Sequence, residues 1–365
     1  MAKDIIIGID AGTSILKVVA FTLNGKEIAS SSKKNKYKTS HGGQATQSLD
    51  ATWKNCIKII SELKNKINNF KNRVAIISVT GQGDGTWLID KKGKPVCDAW
   101  LWLDSRSSDI AKKLSKLNSE KLRFDLTGTG IFAGQQSSQI SYMDKNNPEI
   151  LDQSSTAFHC KDWIYFKLTN VRATDPSEAC FTFGNFRTRQ YDENVIDGLG
   201  LTKRKNLLPD IIDGSKVTHP LSDNVATLIG LNSGTPIALG YIDAVCTFLG
   251  SGGLDINKDV GNSILGTTGG HMKATEVSQI VPNSNLKSGY IMLLPIENLA
   301  LQFQTNMSGT LNIDWLKFLI KDIFNDFDLN LNDNEFIKKI DQWLKKAEPG
   351  KLIYHPYISE AGERG

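Results

Sequence analysis

Two apolar runs in this chain end on an aspartate. Ile5-Ile6-Ile7-Gly8-Ile9 leads into Asp10, and Pro236-Ile237-Ala238-Leu239-Gly240-Tyr241-Ile242 leads into Asp243. An unpaired carboxylate is costly to desolvate, so a buried strand that ends on one needs a partner for it. Asp10 opens the turn Ala11-Gly12-Thr13-Ser14, with Lys17 beyond it. Backbone N–H groups of such a turn, with two hydroxyls, can cradle a phosphate; a hairpin with a polar tip is the alternative. A second turn of the same kind, Gly266-Thr267-Thr268-Gly269-Gly270, follows Ser263-Ile264-Leu265. Two similar half-domains facing one another would explain the echo, as would chance. Facing turns suit phosphoryl transfer, which needs positioning, Mg²⁺ and an acceptor activated by a base. Asp10 then orients Mg²⁺, directly or through water, because that ion favours few carboxylates alongside waters and phosphates. Asp243 takes a proton from a substrate hydroxyl. Taken alone, a helix N-cap is the plainer reading of Asp243.

Gln82, Asp84, Trp102, Asp104 and Arg106 are the types a small-polyol pocket uses. Such a pocket wants an aromatic face, with amide, carboxylate and guanidinium groups for paired hydroxyls. Core packing is the competing role for the tryptophans, and the stronger one for Trp100.

The chain has 365 residues, which suggests two domains. Hydrophobic residues make up 40% and charged residues 22%, as in a soluble globular protein. A net charge of +4, with lysines scattered over solvated faces, argues against nucleic acid. The five cysteines form no C-x-x-C pair and read as reduced thiols of a cytosolic protein. The five histidines are isolated, which argues against structural zinc. Lys3 and Asp4 precede a strand-length apolar run, unlike a signal peptide, and no segment approaches a membrane span.

The elements that must position these groups follow from periodicity. Residues 49–70 carry Trp53, Ile57, Ile60, Leu63, Ile67 and Phe70 at helical spacing. Residues 74–79 read as a buried parallel strand ending at Gly81-Gln82-Gly83-Asp84-Gly85. Strand, strand, helix, strand implies a mixed sheet with ligands beyond the strand carboxyl ends. Residues 30–47 read as a polar loop, 158–168 as a helix and 179–186 as a strand. Helices are expected at 244–249, 314–324 and 335–347, strands at 290–294 and 299–304, and a domain boundary near 244–255.

In this order and at this spacing, the motifs resemble the FGGY family of carbohydrate kinases. Asp10-Ala11-Gly12-Thr13-Ser14 with Lys17 is similar to the first phosphate loop, where many members carry arginine last; lysine keeps the charge and loses the bidentate fork. Gly81 to Gly85 is similar to the sugar-contact loop, and Trp102-Leu103-Asp104-Ser105-Arg106 to the W-x-D-x-R element. Lys161-Asp162-Trp163, Lys167-Leu168-Thr169 and Ala173-Thr174-Asp175-Pro176-Ser177-Glu178-Ala179 resemble the signature region. Gly240-Tyr241-Ile242-Asp243 resembles the base segment, Gly266-Thr267-Thr268-Gly269 the second phosphate loop, and Ser308-Gly309-Thr310 a further nucleotide-side turn.

The resemblance implies a two-domain α/β ATPase fold of the actin/hexokinase (ribonuclease H-like) type with a central cleft. It implies a sugar-binding domain over residues 1–246 and a partial ATP-binding domain over 247–365. The implied activity is ATP-dependent phosphorylation of a sugar or polyol hydroxyl in the cytoplasm. Asp243 is then the general base, and Asp10 a catalytic and Mg²⁺-orienting residue. Gln82, Gly83, Asp84, Trp102, Asp104, Arg106 and Asp243 contact the substrate. Gly12, Thr13, Ser14, Lys17, Gly266, Thr267, Thr268 and Gly309 serve ATP. The expected partners are a small sugar or polyol and ATP, with a homodimer left open.

Gly83-Asp84 stands where xylulose kinases usually have Met-His, which favours an erythritol-kinase-like polyol or a related ketose. Members continue past an element like Gly362-Glu363-Arg364 into glycine-rich segments that hold adenosine, so a C-terminally truncated chain is expected. A non-catalytic sugar-binding fragment is therefore the alternative reading. An aspartic protease, prompted by Asp-x-Gly-Thr, would need a second such aspartate, and Gly266-Thr267-Thr268 lacks it.

Overall fold

In the computed structural model, strand β1 (Ile5–Ala11) buries Ile5, Ile7, Ile9 and Ala11 completely while the residues between them stay partly open. This period of two fixes which face meets the core. The structure describes residues 3–255, 260–266, 269–306, 309–329 and 331–354. β1 pairs antiparallel with β2 (Ile15–Thr22), Asp10 opposite Lys17. β2 pairs antiparallel with β3 (Glu27–Lys34). On the other side β1 runs parallel to β4 (Val74–Gly81), Asp10 opposite Thr80. With β5 (His219–Pro220) and β6 (Pro236–Leu239), the sheet order is β5-β6-β4-β1-β2-β3, and β6 runs parallel to β4.

The expected loop at 30–47 is instead largely strand: the end of β3, then Lys38–Ser40 and Gln44–Gln47. Its serines and lysines suit a sheet edge with one face in water, and so hide the strand from a hydrophobicity reading. Helix α1 (Leu49–Lys64) is capped by Ser48, whose hydroxyl accepts from Ala51 N, and it buries Leu49, Cys56, Ile59, Ile60 and Leu63. It ends short of the expected residue 70. A turn intervenes, with Asn69 at φ 54, before a four-residue helix Phe70–Arg73.

Helix α2 (Cys160–Thr169) lies where expected. Only Gly184–Asn185 of the strand expected at 179–186 is strand, and the stretch starts instead as helix α3 (Pro176–Thr182). Asp175 caps it by accepting from Ser177 N, and Pro176 supplies a preformed first turn, which outweighs the strand preference of Phe181 and Thr182. Helix α4 (Asp243–Gly250) runs unbroken across the expected 246/247 division.

The second sheet is antiparallel, in the order β7 (Gly261–Leu265), β8 (Gly269–Glu276), β10 (Leu299–Asn306), β9 (Tyr290–Leu293). β7 and β8, like β1 and β2, are consecutive strands that pair antiparallel. Phe132, Phe181, Ile242 and Phe248 share a core with Met272, Tyr290, Met292 and Leu301, which ties the second sheet to α4. Helices α5 (Leu311–Asp326) and α6 (Asp333–Leu344) follow. α5 leaves Trp315, Leu316, Leu319 and Ile323 exposed among the described residues.

Candidate active site

Three neighbouring parallel strands, β6, β4 and β1, end along one edge. Such an edge is where ligands collect in α/β sheets. β1 delivers Asp10 and the turn at 12–14, β4 delivers Gln82, Gly83 and Asp84, and β6 leads through Gly240 to Asp243. The ends are laced together. Gln82 N donates to Ala11 O at 3.1 Å, Gly240 N to Val79 O at 2.8 Å, and Thr80 Oγ1 to Tyr241 O at 2.6 Å. A cavity of about 340 Å³ opens at this edge, lined by Thr13, Gln82, Gly83, Asp84, Trp102 and Asp243. Phe132, Phe181, Tyr290 and Phe303 wall it, and Ile264, Gly269, Gly270 and Thr305 of the second sheet close it.

Asp243 lies in the first turn of α4, where its Oδ1 accepts from Ala244 N at 2.7 Å. The N-cap position itself is Ile242, so Asp243 is the first helical residue, and it lines the cavity. Burial pushes its carboxyl up to about 7, and the negative charge of Asp10 adds to the shift. The charge of Asp10 is therefore near enough to act on Asp243. Asp10 is exposed near the end of β1 and is not among the residues that line the cavity. The surrounding protein raises its pKa, against the attraction of Lys17. Among the described residues, Asp10 accepts no hydrogen bond, and no group of three or more His, Cys, Asp or Glu could hold a metal.

The floor of the cavity is a chain of amides and hydroxyls. Trp102 Nε1 donates to Thr13 Oγ1 at 2.9 Å, Thr13 Oγ1 donates to Gln82 Oε1 at 2.8 Å, and Gln82 Nε2 donates to Gln47 Oε1 at 2.9 Å. Gln47 Nε2 returns to Thr13 O at 3.1 Å. Gly83 admits no side chain, because an added Cβ would overlap Ile242 and come within 2.9 Å of Glu178 Oε1. Asp84 is held at φ 55, its backbone N donating to Glu178 Oε2 at 3.4 Å.

Two residues expected in the pocket are not on its lining. Asp104 is 1% exposed and accepts from Ala45 N at 2.9 Å. Arg106 forks onto it, Nε to Oδ1 at 3.0 Å and Nη2 to Oδ2 at 2.6 Å, and stacks 3.3 Å over the Trp100 ring. A buried carboxylate demands such a cation, so this pair braces the loop beneath Trp102. Trp100 is core, as its competing reading had it. The Thr13 hydroxyl, expected on the ATP side, is engaged by the substrate loop. Gly12 O and Ser14 O are tied to Asn35, by its Nδ2 at 3.1 Å and its backbone N at 2.8 Å. Lys17 is exposed on β2. Gly266 O accepts from Thr310 N at 2.7 Å, which brings Thr310, next to Gly309, against Gly266. Thr267 and Thr268 lie outside the described residues.

Gln47, the aromatic walls, Ser177 and Glu178 have no site role in the sequence reading. Gln47 falls in the stretch read as loop. Ser177 and Glu178 fall in the signature region, where their spacing after Asp175 was the available signal.

Residues 5–250 match the FGGY family of carbohydrate kinases, N-terminal domain. The chain is 49% identical over 362 residues to an erythritol kinase of Brucella abortus (strain 2308), covering 99% of this chain and 69% of the relative. Its fold is that of sugar kinases. It superposes on a xylulose kinase from Rhodospirillum rubrum with TM-score 0.82 at 19% identity, covering 95% of this chain and 68% of that one. It superposes on a ligand-bound xylulose kinase from Lactobacillus acidophilus with TM-score 0.82 at 23% identity, covering 98% and 69%. With the family match spanning most of its length and a relative this similar, the chain belongs to the FGGY family of carbohydrate kinases.

Proposed function

We propose that this chain phosphorylates a hydroxyl of a small polyol of the erythritol class with ATP, and that Asp243 is the general base. The observation that carries this reading is Asp243 on the cavity wall, with its carboxyl raised to about 7 by burial and by Asp10. A base poised there takes a hydroxyl proton at neutral pH. The substrate oxygen then attacks the γ-phosphorus, the bond to the bridging oxygen breaks, and ADP leaves. Asp84, Gln82 and Trp102 orient the polyol, and Gly12, Thr13, Ser14, Gly266, Thr267, Thr268 and Gly309 are assigned to the nucleotide. We assign 1–246 to the sugar side and 247–365 to the nucleotide side.

Asp10, exposed and accepting no hydrogen bond among the described residues, fits a Mg²⁺ held mainly by water and phosphate oxygens. When bound, that ion neutralises charge on the transferring phosphate. Erythritol is favoured over a pentulose by the 49% identity to the erythritol kinase, against 25% to an L-xylulose/3-keto-L-gulonate kinase of Escherichia coli. Five free thiols fit a cytoplasmic setting, and no helix among the described residues is long and apolar enough to cross a membrane.

A coupled ADP-release assay over a panel of tetritols, pentitols and pentuloses tests the reading. Turnover on erythritol that Asp243→Asn abolishes supports it. Polyol binding without turnover favours the non-catalytic sugar-binding fragment.

A further inference from the structure

We propose that Ser177 and Glu178, neighbours in the first turn of α3, are positioning residues that hold the two halves of the substrate site in register. Ser177 fixes the segment that carries Asp243, and Glu178 fixes the loop that carries Asp84. The inference rests on the kinase reading above.

Ser177 Oγ accepts from Ile242 N at 3.1 Å, one residue before the base. The same hydroxyl donates to Asp175 Oδ1, so its lone pairs can only point at Ile242. Glu178 Oε2 accepts from Asp84 N at 3.4 Å, and its Oε1 has no hydrogen-bond partner among the described residues and abuts Gly83. Two adjacent residues of one helix turn thus reach two abutting segments of the cavity wall.

Behind them lies a closed circuit of charge. Asp175 Oδ2 meets Lys161 Nζ at 2.6 Å, and Lys161 Nζ donates to Asp162 Oδ1 at 2.5 Å. Asp162 Oδ2 accepts from His159 N at 3.0 Å and lies 3.2 Å from its Nδ1. His159 Nε2 faces Glu178 Oε2 at 3.3 Å. These five ionisable residues are at most 3% exposed. Burying such a set costs desolvation that apolar residues of like volume would avoid, so stability alone does not account for it. Its two outlets do: both end on backbone N–H groups of cavity-forming segments. The circuit carries more carboxylates than cations. Burial raises the Glu178 pKa, with His159 and Lys161 opposing the shift and Asp84 and Asp175 adding to it.

The roles separate kinetically. Asp84 meets the polyol at all stages, so loosening it weakens binding. Asp243 acts as the oxygen attacks, so misplacing it slows transfer.

The test uses the full chain, with erythritol and Mg-ATP, and counts competent sites by calorimetric titration with erythritol. Ser177→Ala is expected to lower per-site kcat about tenfold or more, as small misplacements of a reacting group do, with both KM values near wild type. Glu178→Ala is expected to raise the erythritol KM about tenfold, the worth of one buried hydrogen bond, with the ATP KM unchanged. Glu178→Gln keeps an oxygen acceptor for Asp84 N and restores it. If the variants lose only competent sites, with per-site kcat and KM at wild-type values, the residues are structural and the proposal is overturned. Should Glu178→Ala fail to fold, Ser177→Ala decides: wild-type per-site kcat overturns the proposal. A wild-type chain that neither binds nor phosphorylates any member of the polyol panel overturns the kinase reading and this inference together. An active wild type with unaltered variants overturns the inference alone.

Discussion

Thr13 and Trp102 are joined across the cavity floor, the indole Nε1 donating to the threonine hydroxyl at 2.9 Å. Thr13 belongs to the turn after β1 and Trp102 to the cavity lining, so under the proposed function the bond couples the segment assigned to the nucleotide with the segment assigned to the polyol. The hydroxyl also donates to Gln82 at 2.8 Å.

Thr13→Val keeps the shape and removes both bonds. It is expected to raise the KM for erythritol and for ATP together, each about fivefold to tenfold, since a lost bond to a buried polar group costs roughly 1–3 kcal/mol. Trp102→Phe removes only the indole donor and is expected to raise the erythritol KM alone. Initial rates over a grid of both substrates distinguish the two. A Thr13→Val enzyme altered in the ATP KM only would assign the hydroxyl to the nucleotide side after all.

Asp243 gives a prediction in pH. As a base it must be ionised, so kcat/KM is expected to fall as pH drops through about 7. Asp243→Asn should cost about 10²–10⁴ in kcat, the usual range for a general base. Stability moves the other way. The folded carboxyl holds its proton up to about 7, against an ordinary value of 3.8, so its favourable contribution is complete below the unfolded value and is lost as pH rises through 7. Asp243→Asn should therefore raise the melting temperature at pH 8 and leave it unchanged at pH 3.5. Equal shifts at both pH values would remove the carboxylate's burial as the cause.

Arg106 separates a brace from a ligand. Arg106→Ala would strand Asp104, whose side chain is fully buried. The expected loss is about 3 kcal/mol of stability, with the erythritol KM nearly unchanged at a temperature where the variant is folded. Arg106→Lys should recover part of it, since lysine returns the charge without the fork. A variant of wild-type stability and raised KM would return Arg106 to the pocket.

The sequence was informative where chemistry and periodicity coincide. Asp10 is the next-to-last residue of β1, and Asp243 follows the end of β6 by four residues at the start of α4, so the apolar runs announced both positions. Asp104 and Arg106 have the composition of a sugar contact and of a buried ion pair alike, and only tertiary placement separates these. Residues 179–186 read as a strand, while the Asp175-Pro176 start that makes 176–182 a helix is two residues long. Ser177 and Glu178 act through backbone N–H groups far away in sequence, and no spacing rule reveals such a contact. The edge strands between residues 27 and 47 are polar because their outer faces meet water.

Gly83 offers the most direct check of how the substrate loop and the base segment depend on each other. Its Cα faces Ile242, and an added Cβ would overlap that side chain's Cδ1 and approach Cγ1 at 2.7 Å. Core overpacking of this kind costs about 1–3 kcal/mol and is relieved by backbone movement. Here the movement displaces either the loop of Gln82 and Asp84 or the segment ending at Asp243. Gly83→Ala is thus expected to raise the erythritol KM and lower kcat together, with the ATP KM intact. Adding Ile242→Val removes Cδ1 and should restore part of both, and the non-additivity of the double variant measures the contact. Strict additivity would mean that the two segments do not press on each other, and the shared-wall geometry of the cavity would have to be abandoned.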